Sequence, residues 1–382
     1  MKTNNNIPAY RFQGYTDAWE LRKLGEVAEI NPKSQIPEKF EYVDLESVVG
    51  TSLISHRTVR AESAPSRAQR LALSGDIFYQ TVRPYQKNNY LFDLSDDNYV
   101  FSTGYAQLRP KIDDRYLMIK IQDDGFVKEV LDRCTGTSYP AINSKDLSQI
   151  SIDVPTSLPE QETIGTFFST LDRQITLHQR KLDTLKEQKK SYLKLLFPAK
   201  GQTKPALRFQ GFEDDWKEVK LGEVAKMYQP QTITGGDLIE EGIPVFGANG
   251  YIGYYSDCNH VTDQVTISAR GEGTGTPNFV KAPVWITGNS MVINVDENKD
   301  IDKKFLYSNF LAYDFKKYVS GGAQPQLTRD VLSLVKISIP SLPEQEVIGT
   351  FFSTLDQKIA QVEDKLASLK EMKKTLLRKL FV

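Results

Sequence analysis

Apolar residues recur at alternating spacings of three and four along two long stretches of the chain. The first stretch runs from Leu158 to Leu196 and the second from Leu342 to Leu380. Spacing of this kind over many turns predicts coiled-coil helices, because the apolar stripe of a lone amphipathic helix drifts toward a period of 3.6. The residues predicted to form the interface are Leu171, Ile175, Leu182, Leu185, Leu355, Ile359, Leu366 and Leu369.

Each predicted helix has a clear start. Ser157 with Glu160, and Ser341 with Glu344, match the Ser-x-x-Glu capping box. At 1.5 Å per residue, a helix of about 38 residues is roughly 57 Å long. The natural partner of the apolar stripe of one helix is the apolar stripe of the other helix. The residues alone do not decide between a parallel and an antiparallel arrangement. Generic dimerisation is the competing interpretation of such a coiled coil.

A second block also occurs twice. Residues 8–28 and 205–225 share Pro-Ala, Arg-Phe-Gln-Gly, a tryptophan and Leu-Gly-Glu-Val-Ala in that order, and we call each of them a tryptophan block. The period of roughly 190 residues is far above the 20–50 of a solenoid, so the pattern indicates a duplicated domain-plus-helix. The predicted parts are 1–157 (block and domain one), 158–200 (helix), 201–341 (block and domain two) and 342–382 (helix).

The two domains show short strands between turns, with a few helices. β-Branched and aromatic runs bounded by glycine, asparagine and aspartate are typical of strands. Predicted strands lie at 75–82, 98–101, 243–247, 251–255 and 264–268, and predicted helices at 116–120, 126–131 and 305–311. The predicted fold class is therefore α+β, with two similar mixed α/β domains separated by two long helices that form an intramolecular coiled coil.

The interiors of the two domains share little sequence, but landmarks recur near each long helix. Gly136 followed by Tyr139-Pro140 corresponds to Gly321 followed by Gln324-Pro325. One scaffold with two different interiors favours a protein that displays two different reading surfaces.

Composition narrows the class of protein without naming a ligand. The 382 residues carry a formal net charge of −1, so a nucleic-acid role would need locally clustered lysine and arginine. Cys134 and Cys258 are isolated and lack metal-ligand spacing, which favours reduced thiols. No signal peptide opens the chain and no apolar run approaches the ~20 residues of a membrane span, so we expect a cytoplasmic protein without a membrane partner.

The sequence shows no convincing catalytic or metal-binding constellation. His56, His178 and His260 are scattered, and there is no Gly-x-x-x-x-Gly-Lys-Ser/Thr loop for nucleotide hydrolysis. The glycine-rich stretch 271–275 is not followed by a convincing helix. Residues 31–34, Asn-Pro-Lys-Ser, lack the second proline and the aromatic of an amino-methyltransferase motif, and we interpret them as a turn.

Taken together, the repeated features resemble a known family over essentially the whole chain. They are the two Leu-Pro-Glu-Gln helices, the two Leu-Gly-Glu-Val-Ala blocks, and the stretches 245–255, 267–271 and 324–327. In these motifs the chain resembles the specificity (S) subunits of Type I restriction–modification systems. In domain one Tyr139-Pro140-Ala141-Ile142 replaces the Gln-Pro-x-Leu form of domain two, which leaves the role of that loop less defined.

The resemblance implies a non-catalytic chain that binds double-stranded DNA. Each domain would be a target recognition domain for one half of a bipartite site, and an antiparallel helix pair would set the spacer. Two methyltransferase (M) subunits with S-adenosylmethionine would dock on the helices, and restriction (R) subunits using ATP and Mg would join them. The assembled complex would be a Type I site-specific deoxyribonuclease and adenine DNA methyltransferase, while this chain would hold no cofactor or metal.

Candidate base-reading residues follow from side-chain chemistry. Arginine suits guanine bidentately, asparagine or glutamine suits adenine, and apolar or aromatic atoms suit the thymine methyl. The candidates are Gln80, Arg83, Lys87, Asn88 and Tyr139 in domain one, and Tyr251, Arg270, Thr274, Gln324 and Gln326 in domain two. For each of them an ordinary structural role remains open.

Two other classes of function compete with DNA reading. One is a coiled-coil interaction scaffold whose paired domains bind protein or glycan. The other is a stand-alone methyltransferase or nuclease, which the missing motifs argue against.

Overall fold

The computed structural model describes residues 8, 10–96, 98–271, 273–321 and 325–381. The chain divides into two compact units, of which unit 1 comprises residues 1–179 and 365–382 and unit 2 comprises residues 180–364. Each unit takes one part of each long helix, and the predicted domain boundaries stay predictions.

Unit 1 combines small sheets with helices. Its strands are β1 (Glu20–Lys23), β2 (Ala28–Ile30), β3 (Lys39–Val43), β4 (Val48–Val49), β5 (Ser52–Leu53), β6 (Arg57–Arg60), β7 (Ala68–Leu71), β8 (Ile77–Gln80), β9 (Tyr90–Leu91), β10 (Tyr99–Ser102), β11 (Tyr105–Pro110) and β12 (Ser151–Val154). Its helices are α1 (Leu24–Val27), α2 (Asp114–Lys120), α3 (Asp124–Asp132), α4 (Ser144–Ser148) and the first part of α5 (Leu158–Leu195). The two larger sheets have the strand orders β2-β11-β8-β9 and β6-β3-β10-β7.

Unit 2 is built in the same way. Its strands are β13 (Lys217–Lys220), β14 (Lys226–Tyr228), β15 (Ile243–Phe246), β16 (Tyr251–Tyr255), β17 (Gln264–Ser268), β18 (Pro277–Val280), β19 (Trp285–Ile286), β20 (Ser290–Asn294) and β21 (Lys336–Ile339). Its helices are α6 (Leu221–Val224), α7 (Lys303–Ala312), α8 (Arg329–Ser333) and the first part of α9 (Leu342–Leu380). The sheets have the orders β14-β20-β17-β18 and β16-β15-β19.

The two units share one topology. The order β2-β11-β8-β9 corresponds to β14-β20-β17-β18, and in the second sheet a parallel pair, β3 with β10, corresponds to β15 with β19. A short antiparallel pair, β1 with β12 or β13 with β21, precedes the long helix in each unit. The predicted duplication and the α+β fold class are confirmed.

Aromatic side chains join each tryptophan block to the long helices. In unit 1 the ring of Phe381 lies 6.1 Å from both Trp19 and Tyr116, and Leu369, Leu380 and Phe168 belong to the same core. In unit 2 the equivalent rings are Phe197, Trp216 and Phe305, 5.7–5.9 Å apart. In each unit, therefore, a residue just beyond the end of one long helix packs against the tryptophan of the block.

A buried ionic clamp holds the first turn of α5. The guanidinium of Arg11 donates through Nε and Nη2 to the two carboxylate oxygens of Glu160 at 2.6 and 2.7 Å, and the indole of Trp19 adds a bond at 3.2 Å. The Glu160 side chain is fully buried. Unit 2 repeats the clamp with Arg208, Trp216 and Glu344. The glutamates that the sequence assigned to capping boxes thus anchor the tryptophan blocks.

The two long helices run antiparallel, as the resemblance implied. Within unit 1 Lys373 of α9 donates to Asp172 of α5, and within unit 2 Lys189 of α5 lies 2.6 Å from Asp356 of α9. The partner on α9 moves back toward its N-terminus as the chain advances along α5. All eight predicted interface residues are buried or half-buried. Among the described residues, no helix is long and apolar enough to cross a membrane.

Candidate nucleic-acid interface

In unit 1 the loop 135–141 closes on the end of strand β8. Thr135 and Ala141 exchange backbone hydrogen bonds of 3.0 Å in both directions. The backbone N–H of Arg83, just beyond β8, donates to the carbonyl of Pro140 at 2.8 Å. Backbone bonds therefore close the loop at the sheet end and hold it against the residues that follow β8.

Two predicted reading residues meet at this sheet end. The guanidinium carbon of Arg83 lies 4.2 Å from the centroid of the Tyr139 ring, within the range of a cation–π contact. The Tyr139 side chain is 63% exposed, which is high for a large aromatic residue. The structure thus combines two candidates that are 56 positions apart in the printed sequence.

The turn after Arg83 is fixed by backbone conformation and by Lys87. Arg83 and Lys87 both have left-handed φ values, 55° and 54°, and enclose a turn that carries the exposed Tyr85. The Lys87 ammonium donates to the carbonyl of Gln122 at 2.8 Å and to the carboxylate of Asp124, which lowers the pKa of Asp124. Lys87 is therefore engaged in holding the turn.

The other candidates in unit 1 also have internal partners. Gln80 is only 3% exposed, and its amide donates to the carbonyl of Val82 at 2.7 Å and to the side chain of Gln86 at 2.8 Å. The side-chain oxygen of Asn88 accepts from the backbone of Gly50 at 2.8 Å. Of the five candidates in unit 1, Tyr139 is exposed, and the half-buried Arg83 has its guanidinium on the Tyr139 ring.

The backbone bonds that close the loop of unit 1 recur in unit 2. Ser320 and Gln326 exchange backbone bonds of 3.0 and 2.8 Å, as Thr135 and Ala141 do in unit 1. Arg270 follows β17 and forms an isolated bridge with Gln326, and both side chains are exposed. The described residues that flank the two predicted glycine-to-proline loops thus form matching backbone bonds.

The register of the two sheet ends can be fixed residue by residue. The defining backbone bonds are Ile142 to Thr81 and Leu327 to Ala269, both 3.1 Å long. Two residues beyond each acceptor lie Arg83 and Gly271, both with left-handed φ, at 55° and 88°. Arg83 is therefore equivalent to Gly271 and not to Arg270, although the sequence singled out both arginines.

The remaining candidates in unit 2 differ in accessibility. Thr274 is 4% exposed and its hydroxyl donates to the carbonyl of Gly271 at 2.6 Å, so it closes the loop. Tyr251 is 55% exposed on β16, edge-on to Phe246, in the other sheet from Arg270. Gln324 lies outside the described residues. None of the ten assignments as base readers is tested by these positions, and they stay predictions.

Two exposed residues near the sheet ends were not predicted from the sequence. Asn249 lies in a glycine-flanked turn and its side chain contacts the hydroxyl of Ser268, the last residue of β17. Tyr85 lies between Arg83 and Lys87, as described above. The Gly-Ala-Asn-Gly and Pro-Tyr-Gln turns were the available signals. Among the described residues no cluster of three His, Cys, Asp or Glu side chains is placed to hold a metal ion.

The fold and the site together describe a duplicated α+β protein whose two similar sheet ends present different side chains. Comparison with known proteins defines it further. The chain belongs to the family described as Type I restriction modification DNA specificity domain, which matches residues 16–187 and 213–371. The predicted resemblance is therefore confirmed at the level of the family, and the role of that family is DNA sequence specificity.

Individual relatives are distant in sequence, but all three are type I specificity subunits by name. A putative type I specificity subunit of Mycoplasma genitalium is 24% identical over 64% of this chain and 65% of its own length. The EcoprrI specificity subunit of Escherichia coli is 29% identical over 41% and 40% of the two chains. The chain thus spans less than two thirds of these two relatives. The MjaVIII specificity subunit of Methanocaldococcus jannaschii is 22% identical over 73% and 72%.

Solved structures support the fold. The crystal structure of a Type I S subunit from M. genitalium has a TM-score of 0.74 at 19% identity and covers 98% of this chain and 99% of its own. A chain from a structural study of type I R-M complex assembly has a TM-score of 0.50 at 22% identity, covering 95% and 97%. The alternative of a scaffold for protein or glycan has no support in these matches.

Proposed function

We propose that this chain supplies DNA sequence specificity to a Type I restriction–modification complex and has no catalytic role itself. Each unit would read one half of a bipartite site in double-stranded DNA. The family membership and the duplicated architecture support this function.

One observation carries the proposal: equivalent backbone positions at the two sheet ends hold different side chains. Arg83 in unit 1 corresponds to Gly271 in unit 2, and Ala141 corresponds to Gln326 through the matching backbone bonds, while Tyr139 aligns with Gln324 in the sequence alone. Base edges are distinguished by hydrogen-bonding and apolar side chains presented to a groove. A constant frame with variable side chains is what two different half-sites require.

The antiparallel helices would set the unread spacer and offer a dock for two methyltransferase subunits. Lys186 pairs with Glu363 at 2.6 Å and Lys189 pairs with Asp356, so these two lysines hold the helix pair together. We therefore assign the helices a spacing and docking role. S-Adenosylmethionine, ATP and Mg would belong to the modification and restriction subunits, and the complex would act in the cytoplasm.

The direct test is methylome sequencing of cells that carry this chain with its partner subunits. The expected result is methylated adenine within one bipartite motif with a spacer of constant length. Cells with the same partner subunits and without this chain are the control and should lack the motif. A motif that persists in the control, or a continuous unsplit motif, would contradict the proposal.

Binding measurements on the purified complex provide a second test. The logarithm of the affinity for duplex DNA should fall linearly with the logarithm of salt concentration, because phosphate contacts release counterions. The motif duplex should bind more tightly than a scrambled duplex at every salt concentration. Equal affinity for both duplexes would remove the specificity role.

A further inference from the structure

Arg83 occupies a backbone conformation that a residue with a Cβ rarely adopts. Its φ and ψ are both 55° in the left-handed region, and the equivalent position in unit 2 is a glycine. Two bonds hold this conformation: the N–H of Arg83 donates to Pro140, and its carbonyl accepts from Gln86 at 3.0 Å. Non-glycine residues in this region persist where the surroundings enforce them, and they concentrate at functional sites.

The Arg83 side chain is half-buried, and its guanidinium is oriented by an aromatic ring. The ring of Tyr139 supports one of its faces at 4.2 Å and reduces the rotamers that the long side chain can sample. In the part of the chain that the structure describes, no carboxylate lies within ion-pair distance of Arg83. By contrast, Lys87 pairs with Asp124, and Arg109 pairs with Asp76 at 2.8 Å.

An arginine with a free planar fork matches one base edge better than the others. Its parallel N–H donors fit the O6 and N7 acceptors of guanine in the major groove. We propose that Arg83, held on the face of Tyr139, reads a guanine in the half-site recognised by unit 1. This inference rests on the proposed function and names a specificity-determining pair within it.

Two variants of Arg83 test whether its parallel N–H donors recognise the guanine. Arg83→Gly suits the left-handed backbone, as Gly271 does in unit 2, so it removes the side chain without adding backbone strain. Arg83→Lys keeps the positive charge and loses the fork. The discrimination between the guanine and other bases at one position should fall about 5- to 150-fold in both variants. Base preferences in the other half-site should not change.

The matched control is Arg57→Ala. Arg57 also lies over a tyrosine, with its guanidinium carbon 5.1 Å from the centroid of Tyr42, but it sits in the extended strand β6. Its removal takes away the same charge and the same type of contact, and it should leave every base preference intact. Tyr139→Phe keeps the aromatic face and should retain more discrimination than Tyr139→Ala.

The measurement is relative affinity of the purified complex for motif duplexes in which each base pair is replaced in turn. If the wild-type complex shows no bipartite motif, the proposed function fails. If the wild type shows the motif and Arg83→Lys keeps full discrimination at every guanine, the inference alone is overturned. A uniform loss across all duplexes in Arg83→Gly would mark a phosphate contact and would also overturn it.

Discussion

At the scale of single residues, the buried glutamates at the start of the long helices explain why the tryptophan block is repeated. Glu160 is 149 positions from Arg11 in the chain, so a local sequence motif could not disclose their pairing. Ser157 and Glu160 fit a capping box equally well, and that local interpretation was the one the sequence offered. The repeated arginine and tryptophan were visible, but their partner was not.

Removing one glutamate should destabilise its unit strongly. Glu160→Ala leaves the Arg11 guanidinium buried without its carboxylate, and we expect a loss of about 3–5 kcal/mol in the free energy of unfolding. Glu162→Ala, an exposed neighbour on the same helix, should stay within about 0.5 kcal/mol of wild type. Urea unfolding, with hydrogen exchange in the first turns of α5, measures both. Equal effects of the two variants would show that the ion pair of Arg11 with Glu160 does not contribute to the stability of unit 1.

We expect Asp296 to make the stability of unit 2 depend on pH. Burial raises its pKa, but donors from four side chains outweigh this effect and lower its pKa far below the ordinary value of 3.8. Three of these donors are Gln264 and Thr262, both at 2.9 Å, and Asn294 at 2.8 Å. A lowered folded-state pKa contributes stability above the unfolded-state value, and this contribution disappears as the pH falls through the folded-state pKa.

Asp296→Asn should therefore be less stable than wild type at pH 7, and the difference should shrink as the pH falls below about 5. Urea midpoints at a series of pH values measure the difference. Glu297→Gln is a suitable control because Glu297 is exposed in its pair with Lys226. A difference between Asp296→Asn and wild type that stays constant down to the lowest pH reached would count against the network.

The left-handed backbone conformation of Arg83 and its contact with Tyr139 could not be predicted from the sequence. Arg83 was chosen because it follows a β run and precedes a proline, and its contact with Tyr139 required the folded loop. Glycine signals left-handed backbone in a sequence, as Gly271 does, but arginine carries no such signal. The burial of Gln80 was equally hidden, since its partners Val82 and Gln86 lie in a turn whose shape depends on Arg83.

At the scale of elements, the long helices were predictable and most of domain one was not. Helix α9 has the predicted bounds, and α5 ends one residue earlier than predicted, because the 3-4 pattern and the starts are local. Strands β16 and β17 also match their predicted bounds. Strands β3 and β10, however, pair in parallel although more than 50 residues separate them, and β3 was not predicted. Such pairing is a tertiary property.

Ion pairs across the helices should fix their register. Lys373 and Asp172 lie in the partly buried seam with side chains 20% and 22% exposed. Asp172→Lys should destabilise unit 1 by placing two ammonium groups together, and the added change Lys373→Asp should restore most of the stability. A double-mutant cycle from urea unfolding should give a coupling of about 0.5–3 kcal/mol. The equivalent pair Lys189–Asp356 in unit 2 is the control. If the effects of Asp172→Lys and Lys373→Asp on the free energy of unfolding were additive, this pair would have no role in setting the register.

At the scale of the whole molecule, the duplication extends to individual contacts. Asp172 with Lys373 and Asp356 with Lys189 are the same pair in the two repeats, as are the rings Trp19 with Phe381 and Trp216 with Phe197. Each unit is thus completed by helix residues from the other repeat. The sequence of one repeat contains a residue of each type needed for such a pair. In the native chain, however, these two residues lie in different units, and each pairs with a residue of the other repeat.

A single repeat should therefore assemble with a second copy of itself. In a fragment of residues 201–382, Asp356 of one copy can meet Lys373 of the other, and Trp216 can meet Phe381, because these residues replace Lys189 and Phe197 at equivalent positions. We expect a homodimer by light scattering. Asp356→Lys should weaken it, because the lysine would face Lys373, and Asp356→Lys with Lys373→Asp should restore it. A folded monomer would show that the contacts are not interchangeable between repeats, and that the two repeats have diverged in their helices as well as in their reading surfaces.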